Sequence, residues 1–526
     1  MTSWLAHIGS VLRMETVLRL RRSSTPVVFL ILCGAAFLLM PEPGSGGTSF
    51  IVAGRRVLLN SDATALTSAV MGGLVLSLAG FYLVSNSIER DRRSGVGRLI
   101  AATPLSSGRY LAGKLAGNVV YLLVISAIFM VACMGMHLLR GEAPLEPLVF
   151  GKTFAIMFLP LMPSLAALAL MFESVPLLSG RGGDIAYFFV WTASLSLPPI
   201  LAAGTTGRTW LLAGDITGLG FFIREIIHVT HSTQFTIGYA PFNANLPPVV
   251  FPGIDWTAEF VVPRLTSVLL VIPFFLVAWI SFGRFDPARK APGRKSGKGN
   301  PFLILQHALP VGIRKALPRR GWPAGGPPFA RDIMLDTRLT LALSPLLPVI
   351  AAASVVFNLI APPGMIRSGF LPVMFVALVP VLAAISTRDG MSNTRRLLFI
   401  IPNVKARFTV LKFCSAMTVA LIVALCPLVR LGLDVPYDAL GLLVGLVFVA
   451  SVATFLGLLT GSPKPFAALF LLFLYVVMSS QKTPALDFAG WQGLETPSVM
   501  ATYAGLSIFM MVIAWSWQAW RNAREG

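Results

Sequence analysis

The chain has 526 residues, of which 55% are hydrophobic and only 12% are charged, and its mean hydropathy is +0.77. Soluble globular domains carry about 25% charged residues. The composition therefore excludes a soluble enzyme, a disordered protein and a small disulfide-rich secreted domain, and it predicts an integral membrane protein with many spans. The net charge of +20 has to be explained within that class.

Twelve apolar stretches are long enough, or nearly so, to cross a membrane as helices. They predict an all-α polytopic membrane protein. The eleventh is short and could instead be a re-entrant segment. The predicted spans are 23-41, 65-87, 115-137, 148-172, 184-203, 265-283, 343-361, 368-386, 409-429, 436-461, 465-480 and 498-518.

The distribution of Lys and Arg predicts the orientation of these spans. With the N-terminus inside and the spans alternating, 32 of the 42 Lys and Arg residues fall on the inner side. Such an excess is the usual sign of cytoplasmic loops. It predicts a multi-pass protein of the cell membrane with both termini in the cytoplasm, and it accounts for the net charge without nucleic acid as a partner. The densest basic stretch, 284-320, reads as a cytoplasmic linker that anionic lipid headgroups attract.

Two other features of the chain fit this class. The four cysteines, at positions 33, 133, 414 and 426, lie in apolar runs without CxxC spacing. We therefore expect free thiols rather than disulfides or metal ligands. The N-terminal sequence has no apolar run followed by a small-residue cleavage site, so we expect the first apolar run to be retained as a span.

An internal repeat relates the two halves of the chain. Residues 89-114, the first repeat segment, align without a gap to residues 387-412, the second repeat segment, at an offset of 298. The repeat predicts two six-span units in parallel orientation, related by an axis along the membrane normal. The units are residues 1-283, with an outer insertion at 204-264, and residues 328-526, joined by the linker 284-327. The identical pairs are Arg90/Arg388, Asp91/Asp389, Arg98/Arg396, Leu99/Leu397, Pro104/Pro402, Arg109/Arg407 and Lys114/Lys412, and Ile100/Leu398 and Tyr110/Phe408 are conservative pairs.

The first repeat segment is too long for a simple turn between spans. Val96, Leu99 and Ile100 recur at helical spacing, and Pro104 ends the pattern. We expect a short amphipathic helix, which is either an interfacial anchor or a lever that a soluble motor pushes. Basic amphipathic stretches that open at Arg13-Met14-Glu15 and Arg331-Asp332 precede the first and seventh spans.

A family resemblance favours the lever. The run Glu89-Arg90-Asp91, the sequence RLIAATP at 98-104 and the sequence RYLAGK at 109-114 resemble the ABC-2 type permeases of ATP-binding-cassette transporters. Those proteins carry an acidic-basic start, an apolar LLxTP run and a GK pair that opens the third span. The resemblance implies that each six-span unit rests on one cytoplasmic ATPase subunit, so a tandem chain takes two. It also implies an exporter in a bacterial inner membrane.

The resemblance further implies which residues couple to the ATPase. Leucine and isoleucine side chains would dock the short helices, and flanking charges would contact the motor. The second repeat segment departs from the pattern, with Thr387 in place of Glu89 and Leu411 in place of Gly113, which implies unequal coupling. The implied coupling residues are Glu89, Arg90, Asp91, Arg98, Leu99, Ile100, Pro104, Arg109, Lys114, Arg388, Asp389, Arg396, Leu397, Leu398, Pro402, Arg407 and Lys412.

The chain itself offers no site for ATP. It contains no G-x-x-x-x-G-K-[ST] phosphate loop, and the nearest sequence, Ser296-Gly297-Lys298-Gly299, lacks the leading glycine and the final hydroxyl residue. We therefore expect no cofactor in this chain, with ATP and magnesium bound by the partner subunit. No catalytic constellation stands out, so we predict a transporter subunit rather than an enzyme. The mostly apolar spans favour a hydrophobic or amphipathic cargo.

Some observations leave other interpretations open. His228 and His231 form an HxxH pair in the outer insertion, but a metal site needs a further ligand, and a helical face at the membrane surface is favoured. Glu173, near the inner end of the fourth span, is expected to reach water. The alternative function is a proton-coupled secondary transporter of the major facilitator kind, which also has two parallel six-span halves and a basic central linker. A lipid-modifying enzyme would need a polar catalytic cluster, for which the two histidines are the only candidates.

Overall fold

The structure is a computed structural model. The chain divides into two compact units, Met1–Lys290 and Ala291–Gly526. Within the described residues, the units are mostly helical. The described residues are 24-42, 46-204, 214-243, 245-285, 328-344, 346-392, 394-401, 403-479, 483-494 and 496-525.

The first unit contains ten helices and three short strands in its described part. A 3-10 turn at Ser267–Leu270 joins its last two helices. In chain order the elements are α1 Ser24–Leu39, β1 Gly47–Val52, β2 Arg55–Arg56, α2 Ser61–Val84, α3 Ser87–Arg93, α4 Val96–Ala102, α5 Ser107–Arg140, α6 Pro147–Ser174, α7 Arg181–Gly204, α8 Leu219–Thr230, β3 Phe235–Pro241, α9 Ala258–Thr266 and α10 Val271–Ser281.

In the described part of the second unit, the regular elements are all helices or helical turns. A short turn at Pro363–Met365, a π-helical turn at Ile366–Phe370 and a 3-10 turn at Pro484–Leu486 interrupt it. Its longer elements are α11 Pro328–Leu343, α12 Leu346–Ile360, α13 Leu371–Ile385, α14 Arg388–Met391, α15 Arg395–Leu398, α16 Val404–Asp434, α17 Pro436–Thr460, α18 Lys464–Ser479 and α19 Pro497–Glu525.

Several of these helices have the dimensions of membrane spans. Among the described residues, eight helices are long and apolar enough to cross a membrane, and the bent pair α11 and α12 makes a ninth if it acts as one span. The two helices α1 and α18 are apolar but shorter, at 16 residues each. The structure thus confirms a helical, polytopic membrane protein, while the count of twelve spans stays a prediction.

A small antiparallel sheet joins two distant loops of the first unit. Its strand order is β2-β1-β3, with Phe50 opposite Ile237 and Val52 opposite both Arg55 and Phe235. Every residue of β1 is buried, and the Phe50 ring meets the Phe251 ring edge-on at 5.5 Å between centroids. The sequence analysis predicted no strand, because six residues of ordinary β-propensity in a long loop give little signal before a partner strand is known.

Residue Arg264 of α9 is fully buried in the first unit, with 0% of its surface exposed. Pro160 lies inside α6 and has no N–H group, so the carbonyl of Ile156 lacks its helical donor. The Arg264 Nε donates to that carbonyl at 3.3 Å, and Nη2 donates to the Met157 carbonyl at 2.8 Å. The guanidinium therefore replaces the backbone donor that Pro160 cannot supply to the Ile156 carbonyl, and it also donates to the Met157 carbonyl.

The same guanidinium organises the start of the outer insertion. Its Nη1 donates to the carbonyl of Asp215 at 3.1 Å, and the Asp215 carboxylate accepts the N–H groups of Thr217, Gly218 and Gly220 at the start of α8. Gly218 has a φ of +78°, and a Cβ there would lie 2.5 Å from the Arg264 Cζ. This close approach holds α8 against α9 and α6.

We expect the substitution Arg264→Leu to destabilise the first unit strongly. It would leave the carbonyls of Ile156 and Asp215 without their side-chain donor, at a cost of about 1–3 kcal/mol for each unsatisfied group. Thermal unfolding of the detergent-solubilised chain measures the loss. The matched control is Arg430→Leu, which removes only an exposed i,i+4 pair with Asp434, and equal effects of the two substitutions would contradict this role of Arg264.

Candidate functional site

The first repeat segment contains most of α3, all of α4 and the first eight residues of α5, and α3 and α4 meet at Ser94 and Gly95. The Glu173 carboxylate, at the end of α6, accepts the backbone N–H groups of Ser87 at 2.9 Å and Ile88 at 2.6 Å. It thereby satisfies two donors that the first turn of α3 leaves unpaired. Glu173 thus fixes the start of the repeat segment to the fourth long helix of its unit, a role that the sequence analysis missed.

A buried ion pair within the first repeat segment holds α3 to α5. Asp91 is 8% exposed and Lys114 is 2% exposed, and the Lys114 Nζ lies 2.7 Å from the Asp91 Oδ2. The Tyr110 hydroxyl donates to the same oxygen at 2.8 Å, and the Arg90 Nε lies 3.7 Å from Oδ1. Tyr110 and Lys114 are four residues apart on α5, so one face of that helix carries both contacts.

The second repeat segment makes the same ion pair at the corresponding positions. Asp389 is 6% exposed and Lys412 is 1% exposed, with the Lys412 Nζ 2.5 Å from the Asp389 Oδ2. The Arg388 Nε lies 4.0 Å from the Asp389 Oδ1. Three of the identities in the repeat, Arg90/Arg388, Asp91/Asp389 and Lys114/Lys412, are therefore the residues of one buried charge cluster that is built twice.

The second cluster includes a further carboxylate from α11. The Asp336 Oδ1 lies 2.9 Å from the Lys412 Nζ and pairs closely with the Arg388 guanidinium. Arg388 also donates to the Thr340 hydroxyl at 2.7 Å, one turn further along α11. Phe408 stands in place of Tyr110, so this unit lacks the phenol hydroxyl. Its repeat segment is tied instead to the amphipathic helix that precedes α12.

Both repeat segments carry solvent-exposed apolar side chains. Leu99 is 70% exposed and its counterpart Leu397 is 66% exposed, although each lies beside a buried cluster. Ile400 is 77% exposed and adds to the second patch. Ile100 differs, because it packs inward against Ile88 and Tyr110. Each segment therefore has a fixed charged base and an exposed leucine at the same place in the repeat.

The residues at the end of the last long helix of each unit clamp the repeat segment. In the first unit, the Phe282 ring stacks on the Tyr110 ring with centroids 5.5 Å apart, and the Arg284 Nη2 donates to the Thr103 carbonyl at 2.9 Å. In the second unit, the Arg395 Nη2 donates to the Gln518 Oε1 at 2.8 Å. The contacts differ, but each joins the segment to the end of α10 or α19.

The remaining predicted coupling residues divide by exposure. The side chains of Arg98, Pro104, Arg109 and Arg407 are exposed, while Glu89 and Leu398 are partly buried. Glu89 pairs with Arg92 at 2.6 Å and with Arg93 at 3.1 Å, within α3 itself. Pro402 and the side chain of Arg396 lie outside the described residues.

We expect Lys412→Met to destabilise the second unit far more than Lys405→Met, an exposed residue on the same helix. Breaking a buried ion pair by removing one partner costs about 3–5 kcal/mol, because the other charge stays buried without compensation. A double-mutant cycle with Asp389→Asn, followed by thermal unfolding in detergent, measures the coupling between the two side chains. Additive effects of the two substitutions would contradict the pairing.

The contacts between the first repeat segment and the chain after α10 lead to a prediction about the stability effects of two glycine substitutions. A Cβ at Gly97 of α4 would lie 2.6 Å from the Phe285 ring, whereas one at Gly108 of α5 meets nothing closer than 3.6 Å. Alanine favours a helix over glycine by up to about 1 kcal/mol, so Gly108→Ala should raise the unfolding temperature slightly. Gly97→Ala should lower it, because Phe285 has to leave its place. An equal rise for both variants would show that the clamp does not hold α4.

Comparison of the chain with protein-family models, with curated proteins and with solved structures finds no match. The similarity that helps to interpret the site is therefore the one between the two halves of the chain. That similarity covers both sequence and geometry, since the aspartate and the lysine that are identical in the two repeat segments make the same buried ion pair.

Proposed function

We propose that this chain is the membrane-spanning subunit of an ATP-driven transporter of the ABC-2 permease kind, an exporter that takes two cytoplasmic ATPase subunits. Its twelve spans form two parallel six-helix repeats in a bacterial inner membrane, with both termini in the cytoplasm. ATP and magnesium are bound by the ATPase subunits. The observation that carries the proposal is the duplicated repeat segment, which in each unit places an exposed leucine on a base fixed by a buried ion pair.

The exposed leucines suit the docking of a soluble partner. A docking surface needs apolar side chains at its centre that become buried in the complex. Leu99 and Leu397 supply such a side chain at the corresponding place of each unit. The charged residues implied in coupling form two groups. Asp91, Arg388 and Asp389 are buried and hold the segments internally. Among the described side chains, the exposed cations that could contact an ATPase are Arg98, Arg109 and Arg407.

The contacts of the repeat segment suit the transmission of force. In the first unit the segment is bound to α6 through Glu173, to α5 through Lys114 and to the end of α10 through Phe282 and Arg284. A displacement of the segment would therefore move three long helices together rather than bend one loop. Alternating access by rigid-body movement of helix bundles requires such a connection.

The difference between the units supports unequal coupling. The second segment is tied to α11 through Asp336 and to α19 through Gln518, whereas the first is tied to α6 through Glu173 and is clamped by aromatic rings from the end of α10. The same push would thus reach different helices in the two units. The cargo that fits the mostly apolar spans is hydrophobic or amphipathic.

The test is co-purification of the full-length chain from its native host in mild detergent, with mass analysis of the bound proteins. We expect two copies of a soluble ATPase per chain, and their loss in the double variant Leu99→Asp and Leu397→Asp. The matched control is Leu177→Asp, which changes a leucine of similar exposure, 65%, in the turn between α6 and α7. This turn lies on the predicted inner side of the membrane.

Two outcomes would overturn the proposal. A chain that purifies alone, and that transports in ATP-free vesicles under a proton gradient, would establish the secondary transporter instead. Equal loss of the ATPase in the double variant and in the control Leu177→Asp would show that the leucines of the repeat segments have no special part in docking. Comparison of Leu99→Asp with Leu397→Asp, each as a single variant, measures how unequal the two units are.

A further inference from the structure

A second cluster of chemically competent side chains lies in the outer insertion, far along the chain from the repeat segments. Glu225 and His228 lie one turn apart on α8, and Asp255 lies in the segment that precedes α9. One ligand atom from each of these three residues lies within 4.8 Å of the other two. His231, the second residue of the HxxH pair, ends α8 with a φ of +49° and is not part of the cluster.

The backbone beneath this cluster is held by buried contacts. The Asp215 carboxylate fixes the first turn of α8, and the Phe222 ring meets the Phe260 ring of α9 edge-on at 5.7 Å. The Asp255 N–H donates to the Glu225 Oε1 at 3.2 Å, which sets Asp255 beside α8. The three side chains thus come from α8 and from the irregular segment that precedes α9, which the bond from the Asp255 N–H joins.

The electrostatics of the cluster favour a cation. Glu225 is 8% exposed, so its carboxylate is largely removed from water. The carboxylates of Glu225 and Asp255 repel each other, while His228 and Arg224 attract the Glu225 carboxylate. A divalent cation between the carboxylates would compensate both charges.

We propose that Glu225, His228 and Asp255 form a binding site for a divalent transition-metal cation, with Zn²⁺ as the best match. One imidazole nitrogen and two carboxylate oxygens are ligands that Zn²⁺ takes at about 2.0–2.2 Å, which places tetrahedral ligand atoms about 3.4 Å apart. His228 and Asp255 are exposed, so their side chains can rotate inward by the ångström or so that this requires. Three protein ligands leave the fourth position for water or for a group from another molecule.

Occupation of the site would join α8 to the segment that leads into α9. The stretch from Ala258 to Ser281, which begins three residues after Asp255, is one of the helices long and apolar enough to cross a membrane. The cation would therefore brace the outer end of that helix, whose other end clamps the first repeat segment. The site itself does not depend on the proposed transport function.

The experiment titrates Zn²⁺, and separately Co²⁺, into the full-length chain in detergent, purified without a histidine tag. We expect one cation per chain, a rise in the unfolding temperature on binding, and a Co²⁺ absorption spectrum without the intense thiolate bands that cysteine ligands give. His228→Ala and Asp255→Asn should each weaken binding by at least about tenfold. His231→Ala, the matched control on the same helix end, should bind as the unchanged chain does.

The proposal fails if His228→Ala and His231→Ala bind Zn²⁺ equally well, or if the unchanged chain binds no stoichiometric cation. Glu225→Gln keeps the shape of the buried side chain and the bond from the Asp255 N–H. If this variant unfolds at the temperature of the unchanged chain without metal, a loss of binding reports on the ligand alone. Unchanged binding by Glu225→Gln would remove Glu225 from the site and overturn the three-residue set.

Discussion

The contact between a buried lysine and a buried aspartate, Lys114 with Asp91 and Lys412 with Asp389, determines how the rest of each unit is arranged around its repeat segment. An ammonium group removed from water without a counterion costs several kcal/mol, so the helix that carries the lysine has to meet the turn that carries the aspartate. The contact fixes the register between the repeat segment and the long helix that follows it. The end of the last helix then closes over this junction in both units, although it does so with different side chains.

This arrangement separates a structural layer from an exposed layer within one short stretch of chain. The aspartates and lysines of the repeat point inward and stabilise the turn, while Leu99 and Leu397 point outward from it. Each segment has a base fixed by a buried ion pair and an exposed apolar side chain. Such a segment would suit the proposed docking of a soluble partner and the transfer of its movement to several helices. The two units share the base and differ in their attachments, which is the structural difference behind the proposed unequal coupling.

The first unit depends on a second buried cation, Arg264, for its other end. Prolines in α6 remove backbone donors, and the guanidinium returns one of them to the Ile156 carbonyl while it also binds the carbonyl of Asp215. The outer insertion is thereby attached to the same helices that hold the repeat segment. The proposed cation site of Glu225, His228 and Asp255 lies on this attached layer, so the two ends of the stretch from Ala258 to Ser281 each make a specific contact.

The features that depend on local pattern could be predicted from the sequence. The lengths of the apolar stretches predicted the long helices. The alignment of the two repeat segments at an offset of 298 showed that Asp91 and Lys114 correspond to Asp389 and Lys412 before any contact was known. It did not reveal that these charges face each other, because residues 23 apart in a chain give no sign of their distance until the turn between them is folded. The folded chain shows four contacts that the sequence did not predict. Glu173 caps α3, Arg264 donates to a carbonyl of the proline-containing α6, β1 pairs with β3, and Asp255 lies beside Glu225 and His228. Each of these contacts joins residues that are distant in the chain, and long-range pairing leaves no periodic trace in a single sequence.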